Sequence, residues 1–171
     1  MTAVILRSGT LRSLLAVLLL CTLSPGADQQ RLVSLPRVAP APEDNPTTED
    51  RAELGRRLFF DTRLSGDNRM SCASCHVPEK GFADGLRRAK GAGGRDLSRN
   101  TPTVLNVGFF SSFFWDGRAP SLEEQALAPI EFPEEMAQDI DSLVDELGAV
   151  SSYAEQCQHA FGRPVSKQDI A

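Results

Sequence analysis

The chain has 171 residues, a formal net charge of −5, 41% hydrophobic and 24% charged residues. That length suits one folded domain with short extensions, and nothing in the charge balance points to nucleic acid as a partner.

Arg7 and Arg12 precede the apolar run "SLLAVLLLCTL" (13–23), and small residues follow between Ser24 and Ala27. A positive start, a short apolar run and a small-residue exit describe a secretory signal peptide over residues 1–27. The run is too short for a stable membrane anchor, which needs roughly 20 apolar residues. Cys21 lies within it, behind the large Leu20 where a lipoprotein cleavage site wants a small residue, so lipidation is set aside. Export leaves Cys72, Cys75 and Cys157. Cys157 is the odd one if the other two act together, and it reads as a partly buried helix thiol.

Residues 28–47, with "LPRVAPAPEDNP", are proline-rich and aperiodic, a linker or an extended arm over the surface. From 48 onwards the chain reads as one domain. A first helix is expected from Thr47 or Thr48 to about Phe60, capped by Thr47-x-x-Asp50, with Leu54 and Leu58 on one face. Residues 61–70 form a loop leading directly into Cys72-x-x-Cys75-His76. The glycine-rich, charged stretch 77–102 has no apolar period, and long loops of this kind are usually functional. Ser121 and Glu124 box the start of a helix that Pro129 ends. Residues 133–148 predict another, begun by proline, with Met136, Ile140, Leu143, Val144 and Leu147 as its apolar stripe. Residues 151–162 predict a third, boxed by Ser152 and Glu155. Ser166-x-x-Asp169 announces one more just before Ala171. No alternating strand pattern appears, so the expected fold is all-α.

Three chemistries compete for C-x-x-C-H. Zinc would need four ligands, and the only other histidine is His159. A dithiol redox pair would want a βαβ setting, which is absent. A c-type haem uses two thiols one helical turn apart as covalent tethers and the adjacent histidine as iron ligand. Cys72, Cys75 and His76 meet those needs, and export fits because such haems are attached outside the cytoplasm. A sixth ligand makes an electron carrier and an open face makes a catalyst. Met70 is too close in sequence to cross the haem plane, and His159 reads as a solvated or packed residue. Met136 fits by position but also as ordinary core. Spacing leaves carrier and catalyst both open.

The strings "LGRRLFFDTRLSGDNRMSCASCHVPEKGFADG", "RNTPTVLNV" and "FFWDGRAPSLEEQALAPIEFPEEM" together resemble the N-terminal half of the bacterial di-haem cytochrome c peroxidase family, over roughly residues 49–171. MauG-like enzymes, which mature a protein-derived quinone cofactor, fall within that family. The resemblance implies a cytochrome c-like helical domain with long irregular loops around one covalent haem. It also implies hydrogen peroxide as substrate, a small electron-donor protein such as a cytochrome c or cupredoxin, and a periplasmic location. Trp115 then matches a tryptophan that assists electron transfer between two haems; on its own it reads equally as a packed aromatic among Phe109, Phe110, Phe113 and Phe114. Gln125 and Glu135 match groups on the peroxide-facing side, where a carboxylate can shuttle a proton. Asn100 matches a calcium ligand, one of the six to eight oxygens calcium takes. The loop 86–100 has no histidine of the kind that caps this haem in some members, so an open iron face is expected. The second haem of the family has no C-x-x-C-H here. With the helix announced at Ser166 cut short, the chain reads as a fragment, a truncated product, or a protein with a separate partner domain.

Overall fold

The computed structural model describes residues 33–171. The signal-peptide segment lies outside them. Residues 33–37 are irregular chain in a unit of their own, and the folded unit runs from Val38 to Ala171. Its helices are α1 (Glu49–Phe59), α2 (Cys72–Cys75), α3 (Leu122–Glu131), α4 (Ile140–Ala149), α5 (Ser151–Phe161) and α6 (Lys167–Ile170), with short 3₁₀ turns between. Among the described residues there are no strands, only isolated antiparallel bridges at Val77–Ala83, Lys90–Asp96 and Phe113–Ala119. The all-α fold class is what the sequence predicts.

Helix α1 packs on α5, α5 on α4, and α4 on α6. Their apolar faces form one core containing Leu54, Leu58, Leu64, Ile130, Met136, Ile140, Leu143, Leu147, Tyr153, Cys157 and Ile170. Leu143 is fully buried, and Cys157 is a buried free thiol, deeper than its sequence suggests. Burying a leucine of this kind contributes about 1.5–3 kcal/mol.

Several boundaries differ from the sequence reading. Thr48, rather than Thr47, caps α1: its Oγ1 accepts the Arg51 amide at 3.3 Å, placing Glu49 and Asp50 in the first turn. There their charges oppose the positive end of the helix dipole. Helix α3 starts on Ser121, whose Oγ accepts the Glu124 amide at 3.1 Å, but it continues past Pro129 to Glu131. Proline disrupts helices through its missing N–H and a clash one turn back. So close to the C-terminus its cost is contained, and the last carbonyls, left without donors where the helix ends, find new ones: the Met136 amide at the Pro129 oxygen (3.1 Å) and the Gln138 amide at the Ile130 oxygen (2.9 Å).

Those bonds also explain why residues 133–138 are not the start of a helix. The chain folds back on the end of α3, and α4 begins only at Ile140, capped by Asp139 Oδ1 accepting the Ser142 amide at 2.8 Å. Met136 therefore leaves the α4 stripe yet stays in the core, 7% exposed. Helix α5 has no side-chain cap; Ser152 instead accepts a hydrogen bond from Arg57 Nη2 at 2.6 Å. One residue, Val150, separates α4 from α5, so the first turn of α5 has no room for the box read at Ser152 and Glu155. Helix α6 is a single turn, held by Ser166 Oγ and Arg163 Nη2 donating to Asp169, both at 2.6 Å.

The arm from Asn45 is tied to the helices. Asn45 donates to Glu123 at 2.8 Å and accepts from Arg51 at 3.2 Å.

Candidate functional site

Helix α2 is one turn long, and that turn is the C-x-x-C-H. The Ser71 amide donates to Ser74 Oγ at 2.9 Å, and the His76 amide closes the turn on the Cys72 carbonyl at 2.8 Å. One turn brings Cys72 and Cys75 to the same side, as residues three apart on a helix must be. Cys72 packs against the core, while the Cys75 thiol approaches the Lys90 carbonyl at 3.6 Å.

His76 Nδ1 lies 3.2 Å from the Phe82 carbonyl oxygen. A carbonyl only accepts, so the proton of a neutral ring sits on Nδ1 and Nε2 keeps its lone pair for a metal. This acceptor is positioned with strain. Phe82 has φ +57, a left-handed conformation that costs a non-glycine residue roughly 1–2 kcal/mol. The Val77–Ala83 bridge and the Phe82 amide bond to the Val77 carbonyl at 2.9 Å enforce it. The Phe82 ring meets Phe59 of α1 edge-on, with ring centroids 6.1 Å apart.

Burial works against the thiolate at both cysteines. Burial pushes Cys72 up to about 11, with a smaller push from Cys75. Cys75 is raised by burial first, then by Asp84 and Glu135. Reactive dithiol pairs work by the opposite shift, and zinc binds thiolates. Among the described residues no group of three or more His, Cys, Asp or Glu is arranged to hold a metal ion. The arrangement suits a haem attached by thioethers, which needs no thiolate in the finished protein, with an imidazole nitrogen oriented for iron.

The other predicted residues fall in two groups. Glu135 is half-buried, and burial raises its carboxyl above the ordinary range, opposed by the positive charge of Arg118 and reinforced by Glu134. Its influence on the Cys75 thiol puts the two in electrostatic reach of each other. Its backbone is clamped. The Ala92 amide donates to the carbonyls of Glu134 and Glu135 (3.1 and 2.8 Å), and the Gly66 amide to that of Met136 (2.9 Å). A Cβ at Gly91 would overlap the Glu134 carbonyl oxygen, and one at Gly66 the Ala137 oxygen, so both loops need glycine where they touch this segment. Gln125 lies half-buried in the first half of α3.

Trp115 and Asn100 form the second group. Trp115 Nε1 donates to the Asn100 carbonyl at 3.1 Å, and both border a shallow depression of about 320 Å³ with Arg87, Ser98 and Arg99. Trp115 is 59% exposed, so the reading of it as a packed aromatic does not hold. Phe114 just before it has φ +65, and Arg118 covers the Phe114 ring at 3.5 Å. His159 is exposed on the last turn of α5. Met70 borders a separate depression beside Ser74 and Lys90.

Arg118 and Phe82 were not legible as site residues. Arg118 stands three residues after Trp115 in "FFWDGRA", and its charge gave no sign of facing Glu135. Phe82 acts through its carbonyl, and a backbone group has no sequence signal.

A one-turn C-x-x-C-H helix with an oriented histidine, set in an all-helical domain with long loops, defines the class of c-type cytochromes. Residues 49–171 match the family model described as di-haem cytochrome c peroxidase, and the chain belongs to that family. It is 46% identical over 157 residues to methylamine utilization protein MauG of Methylorubrum extorquens, covering 87% of this chain and 44% of that protein. It is 40% identical over 129 residues to cytochrome c551 peroxidase of Pseudomonas aeruginosa, covering 74% and 37%. Among solved structures, a MauG-like protein associated with microbial copper homeostasis superposes with a TM-score of 0.73 at 32% identity, covering 82% of this chain and 44% of the other. The diheme peroxidase BthA from Burkholderia thailandensis gives 0.63 at 32% identity, covering 73% and 35%. The chain thus spans less than half the length of these relatives.

Proposed function

We propose that this chain carries the peroxide-reducing haem of a di-haem peroxidase, with Cys72 and Cys75 as thioether tethers and His76 as the proximal ligand. The haem, when bound, supplies the iron that takes hydrogen peroxide and passes on oxidising equivalents. The chain's own groups do the rest. The Phe82 carbonyl holds the His76 ring in one tautomer. Glu135 accepts a proton from incoming peroxide at a carboxylate oxygen and returns it to the departing water, a role worth about 10²–10⁴ in rate. Gln125 orients the peroxide through its amide. Trp115, exposed beside Asn100, is the entry point for electrons from a second haem, which a small donor protein such as a cytochrome c or cupredoxin refills. A calcium ion at Asn100 would draw its remaining oxygens from water and from that second haem domain. Residues 1–27 act as a signal peptide and bring the domain, from about residue 48, to the periplasm.

The observation that carries this reading is the one-turn C-x-x-C-H helix with His76 Nδ1 3.2 Å from the Phe82 carbonyl, together with Glu135 half-buried on a turn held by the Ala92 amide. Met136 lies among core side chains, which favours an open iron face over a sixth thioether ligand. Expression in a host that attaches c-type haem, followed by EPR of the ferric protein, tests it. High-spin iron, unchanged in Met136→Leu, is expected; a low-spin His/Met signal would sink the proposal. Glu135→Gln should slow the reaction with peroxide without altering haem content.

The second reading, a MauG-like maturase acting on another protein, is favoured by the higher identity to MauG than to the peroxidase. Turnover of peroxide with a small donor protein supports the first; oxidation of side chains on a protein substrate in its place supports the second.

A further inference from the structure

Reduction of peroxide takes two electrons, and one part of the molecule suited to giving one has no place in the mechanism above. Tyr153 is buried in the core, 1% exposed, on α5. Its hydroxyl donates to Asp61 Oδ2 at 2.6 Å. The same oxygen accepts Arg63 Nη1 at 2.9 Å, and Oδ1 accepts the Arg63 amide at 2.9 Å. The Arg57 guanidinium lies over the phenol ring, 3.7 Å from its centroid. Cys72, a proposed haem tether, packs against the same core cluster.

The electrostatics select one kind of chemistry. A cation stacked on the ring opposes a positively charged phenol, so oxidation of Tyr153 has to expel its proton in the same event. The carboxylate at 2.6 Å is placed to receive it. Burial and Asp61 both push the phenol above its ordinary value, so the ring does not lose its proton before oxidation. Arg63, bonded to the same oxygen, holds it in place against the phenol, so the proton has a short path back when the ring is reduced. Burial shields the oxidised ring from solvent and from coupling to a second molecule.

We infer that Tyr153 and Asp61 form a proton-coupled electron donor to the haem. Tyr153 gives one electron to the oxidising equivalent left after peroxide reduction, its O–H bond breaks, and the proton goes to Asp61 Oδ2. An electron from the donor protein and the same proton restore the phenol. This rests on the peroxidase reading, with Tyr153 supplying within the chain the equivalent otherwise drawn through Trp115.

The chain holds one tyrosine and one tryptophan, so isotope labelling assigns a radical without mutation. The haem-loaded chain is mixed with hydrogen peroxide, frozen within milliseconds and read by EPR near g = 2, with ring-deuterated tyrosine or tryptophan. The expected signal narrows with deuterated tyrosine, is lost in Tyr153→Phe, and forms at least tenfold more slowly in Asp61→Asn. A signal that narrows only with deuterated tryptophan, or with neither label, overturns the inference. If the iron does not react with peroxide, the peroxidase reading fails, and a light-driven one-electron oxidant then tests the pair. A tyrosyl signal that forms more slowly in heavy water and in Asp61→Asn supports it, and its absence overturns it.

Discussion

Helices α1, α4 and α5 on one side, and the loops over residues 60–119 with the 133–138 turn on the other, hold their shapes by different means. The helices bury an apolar face each, and their shape tolerates any side chain of similar volume. The loops add a few side chains to the core, Leu64 and Met136 among them, and leave most of the rest at or near the surface. Their shape comes from backbone hydrogen bonds, two glycines pressed against carbonyls, and left-handed residues at Phe82, Phe114 and Ala137. Strain of that kind persists only where surroundings over-determine it, and it gathers at functional sites. Phe82 supplies the carbonyl beside His76, Phe114 precedes Trp115 and Ala137 follows Met136. The lesson is a division of labour: stability resides in the helices and geometry in the loops.

Substitutions in each region should separate the two. Leu143→Ala, at the most buried core position, should cost about 2–5 kcal/mol in chemical denaturation, yet leave the haem spectrum of the folded protein unchanged. If the spectrum moves with it, the regions are not separable. Gly91→Ala should cost about 1–3 kcal/mol, because its Cβ would overlap the Glu134 carbonyl and the clamped backbone has to give way. Its mark should instead be a changed reaction with peroxide, read by stopped-flow absorbance, since it displaces Glu135.

A smaller effect is expected from Glu135→Gln as a function of pH. Burial raises the folded carboxyl above its ordinary 4.5. Below that value both states are protonated and the group contributes nothing. As pH rises, the unfolded carboxyl ionises first while the folded one keeps its proton, so stability falls until the folded group ionises too. The melting temperature of Glu135→Gln should therefore gain on the parent as pH rises from acid to neutral; a constant difference would show that the carboxyl is not perturbed. Smallest of all, Ala137→Gly relieves φ +54 at an exposed position and should stabilise by about 0.5–1 kcal/mol in thermal unfolding.

The same division decided what could be read in advance. Leu54, Leu58, Leu143 and Leu147 follow helical periods, and the core appears where that period places it. C-x-x-C-H was legible because its chemistry needs side chains at fixed spacing. The 133–138 turn was not: "PEEMAQDI" reads as a helix start with proline at the first turn, and what overrides it is a set of backbone bonds to the end of α3 and to Gly66 and Ala92. Gly66 and Ala92 lie far away in sequence, and amide groups carry no residue identity. Trp115 stands out in its motif, but its exposure and the left-handed φ of the preceding Phe114 have no sequence signature.

The clamp on Glu135 also orders events in time. It joins distant stretches of chain: Gln138 bonds the Arg63 carbonyl across 75 positions. The helices, by contrast, close on neighbours a few residues away. Loop-closure entropy delays distant contacts relative to local ones, so the turn locks onto the loops after the helices have formed. Until then the loops on either side of Cys72 and Cys75 lack the long-range contacts that fix them.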